Sequence, residues 1–212
     1  KAAPAPSGAP PHVAAPDGPV GVGVVGAGNY AQANLLPVLR DMKQAALVAV
    51  ANAQGLTAGN VRAKFGFQDA AADFDAILAN SAIEWVVIAT RHDTHAELAR
   101  RALEAGKHVH VEKPLALSMD ELDAVVEAHA RSERHLTVGF NRRFAPAVTE
   151  ALSFMQPVAG PRTILIRVNA GALEPGHWLL DPDVGGGRIL GEGCHFVDLA
   201  CLLAAARPLR VA

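Results

Sequence analysis

Short runs of apolar residues alternate with helical patterns along most of the chain. The runs are rich in valine, isoleucine and alanine, which is typical of strands that are buried on both faces. They predict strands at residues 22–25, 46–51, 84–89, 107–111 and 135–139. Helical patterns separate them, so the chain is expected to form an α/β fold with a doubly wound parallel sheet and right-handed connections.

A glycine-rich turn follows the first of these strands. Residues 26–31 read GAGNYA, the pattern G-x-G-x-x-A, and an apolar helical pattern begins at once. Gly26 permits a tight turn, Gly28 lets the backbone approach a pyrophosphate, and Ala31 keeps the helix close to its strand. The free N–H groups of the helix then face the anion. Strand, turn and helix together predict a dinucleotide-binding Rossmann unit, with a plain surface turn as the alternative.

The residue after the second strand bears on the type of dinucleotide. A Rossmann unit usually carries an acidic residue there for the adenosine ribose, whereas this chain has Asn52. Asn52 is able to bond a ribose hydroxyl, and Arg62 is the nearest base for a 2′-phosphate. The choice between NAD and NADP therefore stays open, and a turn without a ligand is the alternative interpretation of Asn52.

Polar residues also follow the third and fourth strands, where doubly wound sheets bind their ligands. The third strand leads into residues 90–95, TRHDTH, which are expected to line the site. His95 is equally expected to pack in the first turn of the next helix. The fourth strand delivers Glu112 and Lys113, and Lys113 is well placed to donate to a substrate oxygen. A strand end with solvated charges is the alternative for this pair.

The pattern changes in the last third of the chain. Residues 162–169 alternate and are rich in β-branched types, which predicts a strand with one wet face, and residues 209–211 predict the start of another. Three glycines at 185–187 precede a helix to about Ala206 and suggest backbone close to a ligand. The expected division is a Pro/Ala-rich linker or tail at 1–19, a Rossmann domain at 20–144 and the start of a second α+β domain at 145–212.

Charge and composition bear on the partners and the location of the protein. A net charge of −2 gives no electrostatic case for a nucleic-acid or membrane partner, and no apolar run approaches the ~20 residues of a membrane span. The Pro-rich start lacks the continuous apolar segment of a signal peptide. Cys194 and Cys201 are too far apart on one helix to bridge, so reduced thiols and a cytoplasmic location are expected.

Five sequence motifs, which follow one another along the chain, resemble those of a known family. They read VGVVGAGNYA, ATRHDTHAELA, GKHVHVEKPL, GFNRRFAP and GGGRILGEGCHFVDL, and they span about residues 20–206. In this order they resemble the Gfo/Idh/MocA family of NAD(P)-dependent oxidoreductases. The forms TRHDTH and GGGRILGEGCHF look most like a branch that is fused behind a medium-chain alcohol-dehydrogenase-like half, and a Pro/Ala linker would suit that junction.

The resemblance implies NAD or NADP on the Rossmann half, with a second domain over the nicotinamide. It implies reversible hydride transfer at a ring hydroxyl of a sugar, nucleotide sugar or inositol-like polyol. Lys113 would then orient the reacting hydroxyl, and His195 would accept or donate its proton. The residues expected at the cofactor are Gly26, Ala27, Gly28, Asn29, Tyr30, Asn52, Thr90, Arg91, His92, His95, Glu112, Lys113 and Arg142.

Two departures from the family pattern matter. The family often has an aspartate four residues before the histidine, where this chain has Gly191, and Glu192 is the candidate replacement in the catalytic set. Glu192 shares a helical face with His195 if the segment is α-helical; a solvated acid is the alternative, and no companion ligands suggest a metal. The second departure is the short part after residue 144, which suggests a C-terminally truncated second domain. A nucleotide-binding or scaffold module without turnover is therefore the rival function, and pairing with an identical chain or a fused dehydrogenase half is the expected association.

Overall fold

The computed structural model describes residues 18–52, 55–155 and 160–211, and their centre is one parallel six-stranded sheet. The strands are β1 (Val20–Val25), β2 (Ala45–Ala51), β3 (Asp69–Ala70), β4 (Trp85–Ile88), β5 (His108–Val111) and β6 (Leu136–Val138). Their order across the sheet is β3-β2-β1-β4-β5-β6, the Rossmann order. The predicted doubly wound α/β fold is thereby confirmed, while all but the last two residues of the expected linker lie outside the described residues.

Seven α-helices are present in the described part of the chain. They are α1 (Leu36–Asp41), α2 (Gly55–Phe65), α3 (Phe74–Ala79), α4 (His95–Glu104), α5 (Met119–Ser132), α6 (Pro146–Met155) and α7 (Cys194–Ala204). A π-helical turn at Ala31–Leu35 leads into α1, and another at Ile189–Gly193 leads into α7. A capping box begins α5: the Ser118 side chain accepts from the Glu121 N–H, and the Glu121 carboxylate accepts from the Ser118 N–H.

The sheet buries apolar side chains on both faces, as its valine-rich strands require. One cluster joins Val86, Ile88 and Val109 to side chains of α3, α4 and α5, among them Ile77 and Leu103. The other cluster joins Val22, Val24 and Val50 to Leu36 of α1 and Phe65 of α2. Because both faces are covered, the ends of the strands remain as the places where a ligand can reach the sheet.

The sequence pattern missed β3, which has only two residues. Asp69 and Ala70 pair with Ala49 and Val50 of β2, and the N–H of Ala71 donates to the Val50 carbonyl at 2.9 Å. A two-residue edge strand has no side-chain periodicity of its own. Its conformation is set by the neighbouring strand, which supplies the hydrogen bonds.

The two strands predicted in the last third of the chain are wrong. Residues 162–169 have no regular secondary structure, and neither do residues 209–211. The side chains of Leu165 and Leu209 are 85% and 101% exposed. An alternating segment needs a neighbouring strand to satisfy its backbone and bury one face, and the described residues offer it none. The predicted late helix is real and ends at Ala204, followed by Ala205 in the left-handed conformation (φ 50°).

Candidate active site

The carboxyl ends of β1, β4 and β5 lie side by side in the sheet. The chain runs from β1 to β2 on one side and returns at β4 on the other, so a crevice is expected where the two connections diverge. The segments predicted to carry the site follow these three strands, at residues 26–31, 90–95 and 112–113. The structure thus brings together three of the predicted groups of residues.

The glycine turn has the shape that a pyrophosphate requires. Gly26 has a φ of +86°, and a Cβ there would lie 2.6 Å from the carbonyl carbon of Ala89, so only glycine fits. A Cβ on Gly28 would meet nothing within 4 Å, because this side of the turn faces open space. The following helix packs closely on the sheet through Ala31, which is 1% exposed. An open backbone cradle at a helix N-terminus fits the pyrophosphate of a dinucleotide.

Tyr30 and Glu112 both border the cleft beside this turn, with Asn29 exposed next to Tyr30. The Tyr30 hydroxyl accepts from Asn141 Nδ2 at 3.0 Å, and the Glu112 carboxylate is buried. Burial, and then the charge of Glu112, raises the pKa of Tyr30. A Cβ on Gly139 would approach Glu112 Oε1 to 2.8 Å, so the glycine leaves room for the carboxylate. Glu112 is therefore held between the ends of β1, β5 and β6.

His95 ties the segment after β4 to the segment after β5. It is 0% exposed in the first turn of α4, which is where the packing interpretation places it. Its Nδ1 lies 2.7 Å from the carbonyl oxygen of Pro114, and its Nε2 lies 3.2 Å from that of Thr90. The Thr90 hydroxyl accepts from the Thr94 hydroxyl at 2.7 Å. The ring therefore fixes the backbone directly after Lys113 against the segment that follows β4.

Lys113 reaches across to the segment that precedes α7. Its Nζ donates to the carbonyl oxygen of Gly191 at 2.8 Å. A Cβ at position 191 would lie 2.4 Å from Leu179 Cδ1 and 3.0 Å from His92 Cε1, so these side chains fill the place of the expected aspartate. The hydrogen-bond partner of Lys113 is thus a neutral backbone oxygen rather than a carboxylate.

Glu192 and His195 are placed differently from each other. Glu192 belongs to the π-helical turn and borders the cleft, but its carboxylate is paired with Arg188 at 3.0 Å. His195 is 7% exposed in the first turn of α7, edge-on to Phe140, and its Nδ1 is buried without a partner among the described residues. It is not one of the residues that line the cleft. Any proton exchange with the crevice is therefore left to Nε2.

Asn52 and Arg142 lie away from the cleft that Lys113 borders. Asn52 is half-buried and directly follows β2, next to the glycine turn. Arg142 is exposed in a short turn after β6, with its guanidinium 4.8 Å from the ring centre of Phe196. Arg62 is exposed and donates to the carbonyl of Gln68 at 3.4 Å. Their predicted contacts with a cofactor stay predictions.

A cleft of about 390 Å³ opens between the strand ends and the segment before α7. Sequence reasoning left six of its residues out of the site: Ala89, Leu173, His177, Trp178, Leu179 and Gly191. Trp178 packs edge-on against His92 with ring centres 4.8 Å apart, and Arg91 lies 5.6 Å from the Trp178 ring. The sequence signal for this wall was the pair His177 and Trp178 in a proline-containing loop. A loop pattern does not show that such residues lie near the strand ends.

The charge of Lys113 acts on the histidines near the crevice. Burial is the main cause that lowers the pKa of His92, His95 and His195, and the Lys113 ammonium lowers each of them further. Arg142 contributes to the lowered pKa of His195. All three imidazoles are therefore expected to be neutral at pH 7.

The free energy of unfolding should consequently fall as the pH drops from 7.5 to 5.5. The unfolded histidines, with pKa values near ~6.5, bind protons that the folded ones reject, so the unfolded state gains stability. Each histidine contributes at most about 1.4 kcal/mol per pH unit. Urea unfolding at fixed ionic strength measures this slope, and a flat profile would contradict it. In His195→Gln the free energy of unfolding should fall less steeply with decreasing pH than in the wild type.

Within residues 18–52, 55–155 and 160–211, every helix is too short or too polar to span a bilayer. In the same residues, no three His, Cys, Asp or Glu side chains are grouped closely enough to hold a metal ion. Cys194 and Cys201 are both free thiols.

The chain has clear similarity to known oxidoreductases. Residues 20–140 match the Gfo/Idh/MocA model, described as an oxidoreductase family with an NAD-binding Rossmann fold. Levoglucosan dehydrogenase of Pseudarthrobacter phenanthrenivorans is 32% identical over 158 residues, 71% of this chain and 40% of the relative. Inositol 2-dehydrogenase of Rhizobium meliloti is 37% identical over 124 residues, 58% of this chain and 37% of the relative.

Solved structures agree with these relatives. Levoglucosan dehydrogenase in complex with NADH and levoglucosan superposes with a TM-score of 0.75 at 29% identity, over 87% of this chain and 54% of that one. The chain thus spans about half or less of the length of each of these relatives. Because the family match covers residues 20–140 and the fold agrees with it, this chain belongs to the Gfo/Idh/MocA family of oxidoreductases.

Proposed function

We propose that this chain is the cofactor-binding part of an NAD(P)-dependent dehydrogenase that acts on a ring hydroxyl of a sugar or inositol-like polyol. The observation that carries the proposal is the Lys113 ammonium, held at the mouth of the crevice by the Gly191 carbonyl at 2.8 Å. It lies on the same edge of the sheet as the open cradle at Gly28. Relatives named as levoglucosan and inositol dehydrogenases support this substrate class.

The residues around the crevice have separable tasks in this proposal. The dinucleotide, held at the glycine turn, supplies the hydride acceptor or donor. The Lys113 ammonium orients the reacting hydroxyl and lowers its pKa by stabilising the alkoxide. His195 is neutral because its pKa is lowered, but it does not line the cleft, so it accepts the hydroxyl proton at Nε2 only if the ring turns towards the substrate. Glu192 assists only if it exchanges its pairing with Arg188 for one with the substrate or with His195.

The type of dinucleotide is part of the proposal. Tyr30, Thr90 and Glu112 border the crevice from the Rossmann side, where the nicotinamide half would lie. The ribose end would meet Asn52, which bonds hydroxyl groups but provides neither a carboxylate nor a positive charge. We therefore expect NAD and NADP to bind with affinities closer to each other than in an enzyme with an acidic residue at this position.

Titration with NADH and NADPH, followed by their fluorescence, tests the proposal together with a turnover assay. The assay follows absorbance at 340 nm with a panel of pyranoses and inositols. Binding together with polyol-dependent reduction of NAD or NADP supports the dehydrogenase. Nucleotide binding without turnover of any compound in the panel would favour the rival function, a nucleotide-binding module. If neither nucleotide binds, both functions are rejected.

Further proposals concern the organisation of the whole protein. The exposed apolar side chains of Phe154 and Val197, on α6 and α7, support the assignment of residues 145–212 to a second domain whose remaining parts cover them. The motif forms TRHDTH and GGGRILGEGCHF support fusion to an alcohol-dehydrogenase-like half, or association with one. Free thiols at Cys194 and Cys201 support a cytoplasmic location. Light scattering on the full-length protein would show whether it forms a homo-oligomer.

A further inference from the structure

His92 has an unusual position among the residues that were expected at the cofactor. It follows β4, yet its ring contacts lie mostly in the C-terminal segment: Nδ1 is 2.8 Å from the carbonyl oxygen of Gly185, and Trp178 packs on the ring. The place of a Cβ on Gly191 is 3.0 Å from its Cε1. The ring is 6% exposed, and it lines the cleft together with Lys113. His92 therefore forms the boundary between the Rossmann sheet and the far wall of the crevice.

The hydrogen bond to Gly185 determines which ring nitrogen carries the proton. A carbonyl oxygen only accepts, so the His92 Nδ1 must be the donor. In a neutral imidazole the other nitrogen, Nε2, then has a free lone pair and no hydrogen. Burial lowers the pKa of His92, which favours this neutral form at pH 7.

The Nε2 atom is left available to a ligand. No group of the described residues bonds to it, and it is not among the buried nitrogens without a partner, so it stays accessible from the cleft. Two charged side chains act on the pKa of His92: Asp93, which does not line the cleft, and Lys113, which lines it and cannot accept a hydrogen bond. The crevice thus offers a donor at Lys113 and an acceptor at His92, and hydroxyl groups are the ligands that serve both.

We infer that His92 is a substrate-binding residue whose Nε2 accepts a hydrogen bond from a polyol hydroxyl, next to the hydroxyl that Lys113 contacts. This inference rests on the proposed function and deepens it. It assigns His92 to the substrate rather than to the cofactor, and it requires a substrate with two neighbouring free hydroxyls. A ligand that is deoxygenated or O-alkylated at the second position would leave the nitrogen without a donor.

Two substitutions separate the ring's two hydrogen bonds. In His92→Asn the side-chain amide takes the place of Nδ1 and keeps a donor for Gly185, but nothing reaches the position of Nε2. In His92→Gln the amide reaches the position of Nε2 and the bond to Gly185 is lost. We expect His92→Asn to keep the thermal midpoint of the wild type and its affinity for NADH, and His92→Gln to lower the midpoint.

The test measures binding of myo-inositol and levoglucosan to the NADH complex by calorimetry. His92→Asn should weaken the polyol that the wild type binds by about ten- to a hundredfold. In the wild type, one mono-deoxy analogue of that polyol should bind more weakly by a similar factor. His92→Asn should bind this analogue as tightly as it binds the parent polyol, because the variant lacks the hydrogen bond that the missing hydroxyl would donate to.

The outcomes separate this inference from the proposed function. If the wild type binds neither polyol nor turns any over, the proposed function fails and the inference fails with it. If the wild type binds a polyol and His92→Asn binds it equally well, only the inference is overturned. A loss of NADH affinity in His92→Asn with unchanged polyol affinity would also overturn it, since the residue would then serve the cofactor.

Discussion

Replacing Lys113 with methionine should reduce kcat by at least about a hundredfold while NADH affinity stays within about twofold of the wild type. Methionine keeps much of the length and apolar stem of lysine but removes the charge that stabilises the developing alkoxide. The bond to the Gly191 carbonyl is lost as well. Steady-state kinetics with the best polyol of the panel, together with NADH fluorescence titration, measures both effects.

The chain contains a matched control for this substitution. Lys107 directly precedes β5, at the opposite end of the strand from Lys113, and is 8% exposed. Its Nζ donates to the carbonyl oxygens of Asn80 and Ile83, at 3.0 and 2.7 Å. Lys107→Met should therefore lower the free energy of unfolding and leave kcat unchanged in the folded fraction. Equal losses of kcat in the two variants would show that Lys113 acts through the fold rather than through the substrate.

The glycine turn yields the second large effect, because its two glycines serve different purposes. Gly26→Ala should destabilise the folded chain by several kcal/mol, since a positive φ alone costs about 1–3 kcal/mol and the added Cβ meets the Ala89 backbone at 2.6 Å. Gly28→Ala should leave stability close to that of the wild type, because the added Cβ meets open space. It should instead weaken NADH binding by at least about tenfold, where the Cβ obstructs the pyrophosphate.

Urea unfolding and NADH titration on the two variants provide the comparison. Gly59→Ala is the control for the substitution itself: this glycine lies in α2 with nothing within 4 Å of a Cβ, so alanine should stabilise by about 0.5–1 kcal/mol. If Gly28→Ala binds NADH as tightly as the wild type, the pyrophosphate does not lie on this turn.

The sequence predicts the sheet well because its signals are local. Buried parallel strands are continuous apolar runs, and the caps and glycines that end the helices are read from a few neighbouring residues. Five of the six strands were identified in this way. The strand β3 was not, because its conformation depends on pairing with β2 and hardly on its own two side chains.

The candidate site was only partly predictable for a related reason. The ends of parallel strands meet at one edge, so the nearness of the glycine turn, Thr90 and Lys113 followed from topology. The contacts between Lys113 and the Gly191 carbonyl, and between His92 and the Gly185 carbonyl, join residues 78 and 93 positions apart through backbone oxygens. Every residue has such an oxygen, so no residue type marks these partners in a sequence.

The glycine at position 191 has a consequence for attempts to convert this site into the more usual family form. Gly191→Asp alone would force a carboxylate into space that Leu179 and His92 already occupy, at 2.4 and 3.0 Å from the new Cβ. Gly191→Asp should therefore lower the free energy of unfolding, and a smaller residue at position 179 should recover part of that loss. Positions 191 and 179 are thus expected to be epistatic, so a mutational path that shortens Leu179 first should lose less stability on the way.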